Sequence, residues 1–561
     1  MDVESKGSNS KVEVDVASLS LNLGEYKTGT ATARMQTTRG LKSRHIQLIS
    51  IGGVIGTGLF IGSGRALVMG GPLSCFLAYT IFCAVVWCVA QAAGELATLH
   101  PVNGSFIHWA HRFIDPAAGV ACGWNYAYAC IAFGCADIVA VTGLWQYWFP
   151  DTSEAIWVSF CLVVFFILNA FAVRLYGEAE FYFASGKVIL IIGLIFFTFV
   201  AMLGGNPAHD RIGFRYWKDP GPMAEYLVEG ALGRFLGFWG VFRLAAFSIG
   251  GPEFVAMCSA EAINPRQSIP KAIRRVFWRL AAFYILGILC VGILIAYNDQ
   301  DLLDGIANGT GVGASPFVIG MQHLGVKVLP HIINAVIITS ATSCGNSFVF
   351  VAVRSIHALA VQGQAPKFLG YTTKRGVPLP ALLFVLGICS TSYMTVNSGA
   401  AVVFGWFIDL SSVAALINFF WMCLAWIRFN AGMKAQGISR NVLPFKGSLL
   451  PYSAWFGLVW CVLLTMTNGF AVFIKIDGDF DIQGFFTAYF GVILSVLIYG
   501  GWKIVKRPSA RKASEMDLLG GLEEIDADEQ WCGSELPAAY YVVGKICRVV
   551  TLIMVCLVIN E

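Results

Sequence analysis

The fold is decided by residues 52–64, GGVIGTGLFIGSG, which lie inside the first long apolar run of the chain. Six of these thirteen residues are glycine, and each glycine inside a helix destabilises it by about 1 kcal/mol relative to alanine. The run therefore favours an interrupted helix. Because a bilayer tolerates unwound backbone only against protein or a water-filled cavity, the sequence predicts that this interruption lines a cavity.

A second interruption follows five apolar runs later, at residues 247–253, FSIGGPE. Pro252 has no backbone N–H and cannot continue the helical hydrogen bonding. Two Gly/Pro-interrupted helices at matching places in successive five-helix halves are typical of inverted-repeat transporters. In such proteins half-helix N-termini bind an anionic group and free carbonyls bind a cationic one, so a zwitterion fits. The alternative is close helix packing through small residues, as in Gly52-x-x-x-Gly56.

The composition is that of a polytopic membrane protein. Of 561 residues, 57% are hydrophobic and 13% are charged, whereas an average globular protein has roughly 25% charged residues. Apolar runs of about 20 residues, the length that crosses a bilayer, recur along the chain. The cysteines are scattered without a CxxC pair or a His/Cys cluster, which disfavours a metal site. The net charge of +4 is too balanced to indicate a nucleic-acid partner.

The apolar runs predict twelve membrane spans, numbered one to twelve here: 46–69, 72–94, 117–148, 155–174, 181–203, 235–258, 277–297, 329–353, 379–396, 401–427, 451–474 and 484–505. Lys and Arg are about twice as frequent in the alternate loops that begin after span two as in the opposite loops, which places that side and both termini in the cytoplasm. These boundaries predict a cytoplasmic N-terminal tail over 1–45, a twelve-helix domain over 46–505 and a cytoplasmic C-terminal tail over 506–561. An apolar run after about residue 530 is too short to span a bilayer.

Four long motifs occur in order along the chain: RHIQLISIGGVIGTGLFIGSG at 44–64, GELATLHPVNGSFIHWAHRFIDPAAGVACGWNYAY at 94–128, FSIGGPEFVAMCSAEAINPRQSIPKAI at 247–273 and SATSCGNSFVFVAVRSIHALAVQGQAPKFLGYTTKRGVP at 340–378. They resemble the fungal amino-acid permeases (the yeast amino acid transporter family) of the amino acid–polyamine–organocation superfamily. The resemblance covers roughly residues 41–525. It implies an all-α polytopic membrane protein with twelve transmembrane helices, a LeuT-like 5+5 inverted repeat and discontinuous helices 1 and 6. Arg243 departs from the family pattern, which has an uncharged residue there.

The resemblance also implies where substrate binds. Carried over by motif, the substrate-binding residues are Gly56, Thr57 and Gly58 for the carboxylate, and Phe247, Ser248, Ile249 and Gly250 for the ammonium group. The ammonium group would meet backbone carbonyls, and Gly250 would open the backbone to it.

Three ionisable residues inside the predicted spans, Lys187, Asp137 and Glu253, are candidates for a proton-coupling charge cluster, since an intramembrane charge is costly and usually functional. In related sodium-independent carriers a lysine at the place of Lys187 stands where a sodium ion binds and braces span one against span eight. The alternative is that Lys187 snorkels to the interface.

Burial favours the protonated form of a carboxyl group, so either acid can carry the coupling proton. Glu253 is favoured because it adjoins the second interruption. The alternative for both acids is a static pair with Arg243 or a hydrogen bond to exposed backbone.

The sequence thus predicts a secondary active transporter, not an enzyme, that imports amino acids across the fungal plasma membrane by proton symport with alternating access. It predicts no cofactor apart from the coupling proton, and amino acids and membrane lipids as partners. Lys6, Lys11 and Lys27 in the N-terminal tail are candidate attachment sites for ubiquitin. The alternatives are an exchanger or a polyamine or choline carrier on the same scaffold, and an amino-acid receptor that does not transport.

Overall fold

Long apolar helices make up most of the structure. The computed structural model describes residues 55–522, apart from 103, 172–175, 208, 263, 309–314, 374–375 and 475–479. The described residues all belong to one compact unit. The predicted tail over 1–45 with Lys6, Lys11 and Lys27, the first glycines of span one and the apolar run after about residue 530 lie outside the described residues.

Ten described helices are long and apolar enough to cross a membrane: Gly58–Leu99, Pro116–Trp145, Glu154–Phe171, Tyr182–Met202, Gly230–Ala260, Pro265–Leu294, Leu329–Val361, Leu379–Ser398, Ala400–Ala435 and Ile482–Lys506. The first of them contains the second half of span one and all of span two. A shorter apolar helix, Tyr452–Thr467, lies at the place of span eleven. The helices are therefore consistent with the twelve predicted spans.

Spans one and two are separated by a sharp break at Gly71, just before Pro72. Gly71 has φ 77° and ψ 172°, a conformation that side-chain-bearing residues rarely adopt. A Cβ atom there would also lie 2.6 Å from the backbone nitrogen of Ala224. Glycine is therefore required at this turn for both reasons, and proline continues the chain into span two.

Several helices are longer than their apolar runs. Span seven begins at Pro265, and spans eight and ten continue to Val361 and Ala435. Hydropathy marks only the part of a helix that crosses the hydrocarbon, whereas backbone hydrogen bonding continues into charged turns at the interface. Span eleven is shorter than predicted because it ends at Thr467, before a separate short helix, Phe470–Ile474.

Span three lies at the centre of the helical domain, where it packs against spans eight and ten. Of the residues in the most apolar 18-residue stretch of span three, 83% are buried inside the protein. In the corresponding stretch of span twelve, 17% are buried. Spans five and twelve carry exposed apolar side chains such as Ile189 and Ile504. Such an apolar outer surface is suited to contact with lipid.

Shorter helices lie between the spans. Ser105–Phe113 connects spans two and three on the side predicted to be cytoplasmic, and Gln300–Asn308 and Pro316–His323 connect spans seven and eight on the opposite side. After span twelve, residues 507–522 are mostly irregular, with one helical turn at Ala513–Glu515.

Candidate functional site

Span six is divided into two helices at the predicted interruption. The first helix ends at Ser248, Ile249 is extended, and a second helix, Pro252–Met257, begins after Gly251. Gly251 has φ 127°, and a Cβ atom there would lie 2.2 Å from Nη2 of Arg279. Both carboxylate oxygens of Glu253 accept from the backbone N–H of Gly251 at 3.1 Å. Glu253 thus helps to stabilise the backbone conformation of the break.

The described part of span one begins beside this break in span six. Ile55 and Gly56 are not helical, and a π-helical turn runs over Gly58–Gly62. A Cβ atom on Gly58 would lie 2.7 Å from Cα of Ser248, and one on Gly56 would lie 2.8 Å from Sγ of Cys344. These glycines allow the backbone of span one to touch spans six and eight.

A cavity lies where the two interruptions meet. Its lining residues come from spans one, three, six, eight and ten: Gly56, Thr57, Gly58, Phe133, Asp137, Ala246, Phe247, Gly250, Glu253, Phe254, Cys344, Phe348 and Ala415. Seven of the predicted site residues are in this set. Ser248 and Ile249 lie in the same break but do not line the cavity. The Ser248 hydroxyl donates to the carbonyl of Leu244 at 2.7 Å.

Asp137 connects span three to the first interruption. Its side chain is buried, and Thr57 Oγ1 donates to its Oδ1 at 2.7 Å. Its other oxygen, Oδ2, is buried without a hydrogen-bond partner among the described residues. A buried polar oxygen without a partner is costly, so Asp137 has an unused position for a proton or a polar ligand beside the cavity.

Lys187 lies outside the cavity lining and is 1% exposed, so its side chain does not reach the membrane surface. Its ammonium nitrogen is 3.8 Å from Oε1 of Glu180, which is also buried. The hydroxyls of Ser343 and Ser347 in span eight donate to Oε2 of Glu180 at 2.7 and 3.2 Å. The snorkelling alternative for Lys187 is therefore wrong in this structure.

Comparison with known proteins places this architecture in a family. The family model described as amino acid permease matches residues 45–515. The chain belongs to the amino acid permease family. A proline-specific permease of Emericella nidulans is 40% identical over 515 residues, which are 91% of this chain and 93% of that protein. The proline-specific permease of Saccharomyces cerevisiae is 41% identical over 499 residues, which are 87% of this chain and 79% of that protein.

Solved structures show the same fold at low sequence identity. A mutant manganese transporter of Eremococcus coleocola matches with a TM-score of 0.51 at 12% identity, over 82% of this chain and 94% of that one. At this identity the match is evidence of fold alone. The permease is an integral membrane transporter of amino acids with a LeuT-like, all-helical fold, and it is not an enzyme.

One wall of the permease cavity is aromatic, and the motifs did not identify it. The ring of Phe133 stacks on Phe247 with 5.5 Å between centroids and on Phe348 with 4.7 Å. Phe254 meets Phe348 edge to face at 5.6 Å. Helical periodicity could have identified these rings, because residues four apart lie on the same helix face. Phe133 precedes Asp137 by four residues, and Phe348 follows Cys344 by four.

Arg243, the departure from the family pattern, has a partner of its own. Its Nη1 is 2.9 Å from Oδ1 of Asp409 in span ten, and Arg65 is close enough for its charge to act on both residues. The alternative that Asp137 or Glu253 forms a static pair with Arg243 is therefore wrong. The other alternative is a hydrogen bond to backbone that the break leaves without a helical partner, and Glu253 forms such a bond with the N–H of Gly251.

Among the described residues, metal-capable side chains cluster at Asp299, Asp301 and His323, between spans seven and eight. His323 Nε2 is 2.8 Å from Asp301 and its Nδ1 is 3.4 Å from Asp299. These contacts account for the proximity of the three side chains, and none of the three lines the cavity.

Proposed function

We propose that the permease imports amino acids with apolar side chains across the fungal plasma membrane, coupled to protons, by alternating access. The observation that carries this proposal is the cavity at the meeting point of the two interruptions. It offers backbone polar groups from spans one and six, an aromatic wall and a buried carboxyl group with an unused oxygen.

The backbone groups match a zwitterion. Helices leave their first N–H groups and last carbonyls without intrahelical partners. The turn that starts at Gly58 supplies N–H groups for a carboxylate, and the helix that ends at Ser248 supplies carbonyls for an ammonium group. We therefore assign the carboxylate to Gly56–Gly58 and the ammonium group to the carbonyls at Phe247–Ile249, with access at Gly250.

The remaining wall favours an apolar substrate side chain. Phe133, Phe247, Phe254 and Phe348 surround the space, and no Lys, Arg or His is among the described residues that line it. An acidic side chain would lose its hydration there without gaining a cationic partner. Proline is the first substrate to test, because it is apolar and the two relatives above are named for it.

Asp137 is the better candidate for the coupling proton, which reverses the preference drawn from sequence. Both oxygens of Glu253 already accept from the backbone of Gly251, whereas Oδ2 of Asp137 has no hydrogen bond among the described residues. Asp137 also contacts Thr57, inside the proposed carboxylate site, at 2.7 Å. Substrate binding and protonation of Asp137 would therefore affect each other.

The orientation and the regulation of the permease belong to the same proposal. The distribution of Lys and Arg supports cytoplasmic termini. Lys6, Lys11 and Lys27 would then be accessible to a cytoplasmic ubiquitin ligase, which would regulate the number of permeases at the plasma membrane.

The test is transport of labelled proline by the purified permease in vesicles. An imposed inward proton gradient should drive accumulation above the outside concentration, and competition by all twenty amino acids should favour apolar ones. Uptake that requires a counter-substrate would instead identify an exchanger, and binding without flux would identify a receptor. Competition by polyamines or choline alone would identify the remaining alternative.

Neutralising variants test the site of the proton. Asp137→Asn mimics a permanently protonated acid, so it should still exchange proline across the membrane but no longer concentrate it. Glu253→Gln is the matched control, since its amide oxygen keeps a contact to Gly251, and it should retain accumulation. Gradient-driven accumulation by Asp137→Asn, together with its loss in Glu253→Gln, would restore the preference for Glu253.

A further inference from the structure

Glu180 lies in a position that neither the motifs nor the cavity lining identified. It precedes Lys187 by seven residues in the helix Tyr176–Met202, which contains span five. Seven residues are about two helical turns, which places both side chains on one helix face. The Glu180 carboxyl group is 3% exposed. Oε2 accepts from Ser343 and Ser347, whereas Oε1 faces the Lys187 ammonium group at 3.8 Å and has no hydrogen bond among the described residues.

The charge of this cluster does not balance if every group is ionised. Asp137 and Glu180 would carry two negative charges and Lys187 one positive charge, and all three side chains are at most 3% exposed. An uncompensated charge at such a site is strongly destabilising. One proton on either acid makes the cluster neutral. The two acids are therefore competing positions for one proton, and each has an oxygen without a hydrogen bond.

Lys187 is the group that links the two acids. It is within ion-pair distance of Glu180, and its charge also acts on Asp137. The two acids contact neighbouring positions of span eight, since Glu180 accepts from Ser343 at 2.7 Å and a Cβ atom on Gly345 would lie 3.0 Å from Cβ of Asp137. Among the described residues, the other titratable groups that act on Asp137 are the thiols of Cys161 in span four and Cys344 in span eight. Neither thiol brings a charge of the sign needed to neutralise a second carboxylate.

We propose that Glu180 is the second carrier of the coupling proton, and that it exchanges this proton with Asp137 through Lys187. This rests on the proposed proton symport and on the proposed orientation, in which span five starts in the cytoplasm. Asp137 then takes the proton beside the substrate, and Glu180, near the start of span five, releases it towards the cytoplasm.

The transfer balances in atoms and charge. Lys187 gives one ammonium proton to the Glu180 carboxylate, forming an O–H bond there. It takes the proton of the Asp137 carboxylic acid, whose O–H bond breaks, and so returns to an ammonium ion. The cluster is neutral before and after. Loss of the proton from Glu180 to water completes its passage.

The test uses the full-length permease in vesicles that contain a pH-sensitive dye, with labelled proline as the probe. In Glu180→Gln, exchange of proline at equal pH on both sides should persist, while gradient-driven accumulation and proline-dependent proton entry should be lost. Glu225→Gln is the matched control, since Glu225 is an exposed acid paired with Arg234 at 3.2 Å, and it should behave as wild type.

A purely structural role for Glu180 predicts a different result. Gln keeps the length of Glu and an oxygen that accepts from Ser343 and Ser347, so a structural residue would tolerate it. Accumulation and proton entry by Glu180→Gln at wild-type level would therefore overturn the proposal. Failure of the wild type to accumulate proline would instead overturn proton symport itself, and the two failures are distinguishable.

If Glu180→Gln also loses exchange, Glu180→Asp distinguishes the loss of a titratable group from a structural defect. Asp keeps a titratable carboxyl group on a shorter side chain, so the proposal requires it to restore both exchange and gradient-driven accumulation. Loss of accumulation in Glu180→Asp as well as in Glu180→Gln would show that the shape of the side chain, and not its proton, is what transport needs.

Discussion

Gly58 is the residue at which span one comes closest to span six. A Cβ atom there would lie 2.7 Å from Cα of Ser248, so the neighbouring atom is backbone and cannot rotate away. We expect even Gly58→Ala to move span one away from span six and to weaken proline binding. Loss of one charge-assisted hydrogen bond to the carboxylate is worth about 1.5–3 kcal/mol, which is roughly a tenfold or larger drop in affinity.

Gly62 provides the control for this prediction. It lies in the same turn, but a Cβ atom there would be 3.8 Å from its nearest neighbour, a ring carbon of Phe247. Gly62→Ala should therefore keep near-normal proline affinity. Binding is measured on purified protein after surface expression of each variant has been matched. Equal affinities of Gly58→Ala and Gly62→Ala would remove the reason to place the substrate at Gly58.

Individual residues differ in how far sequence could identify them. Gly58 and Asp137 stand out because glycine and a carboxylate are unfavourable inside a membrane helix unless they have a role there. Phe133 and Phe348 do not stand out, because an aromatic residue in a span is as compatible with contact to lipid as with a place in the cavity wall. Only the packing of spans three and eight shows that these rings stack at 4.7 Å.

At the scale of elements, the break of span six was predictable and the full length of the helices was not. Gly250-Gly251-Pro252 contains a residue suited to positive φ followed by one without an N–H, and the structure breaks there. By contrast, span seven begins twelve positions before its predicted start of 277. Its first turns carry basic residues, which a hydropathy criterion excludes although they are compatible with a helix.

The C-terminal segment 511–522 packs against the helical domain through buried apolar side chains and polar contacts. Met516 and Leu518 are buried, and Arg112 donates to the carbonyl of Asp517 and pairs with its side chain. His100 Nε2 is 2.9 Å from the carbonyl of Leu518. Burial and then the charge of Arg112 lower the pKa of His100 to about 3, so the ring is neutral at physiological pH and donates through Nε2.

We expect the apolar contacts of this segment to outweigh its ion pair. Replacing a buried leucine by alanine costs about 2–5 kcal/mol, whereas an exposed ion pair contributes about 0–1 kcal/mol. Leu518→Ala should therefore release the segment, and Asp517→Asn should barely affect it. Release is measured as the rate of tryptic cleavage after the exposed Lys512. Faster cleavage in Asp517→Asn than in Leu518→Ala would contradict this order.

At the scale of the whole molecule, the sequence was sufficient for the class of protein because hydropathy, paired interruptions and ordered motifs agree. It was insufficient for the proton pathway, because that depends on which buried charges meet. The contacts of Glu180 with Ser343 and Ser347 join the helix of span five to span eight. The contacting residues are separated by 163 and 167 positions in the chain. A single sequence carries no distance information over such separations.

The orientation of the whole chain leads to the last prediction, since proton release through Glu180 requires cytoplasmic termini. A membrane-impermeant maleimide added to intact cells should label Asp151→Cys, in the exposed loop after span three, and should not label Ser20→Cys or Thr372→Cys. The described cysteines are buried apart from the half-buried Cys258, whereas Cys532, Cys547 and Cys556 lie outside the described residues, so labelling is compared with that of the wild type. Labelling of all three variants above the wild-type level after permeabilisation shows that each introduced thiol is reactive. External labelling of Ser20→Cys would invert the topology, and Glu180 would then face the outside, where it would be the entry and not the exit of the proton.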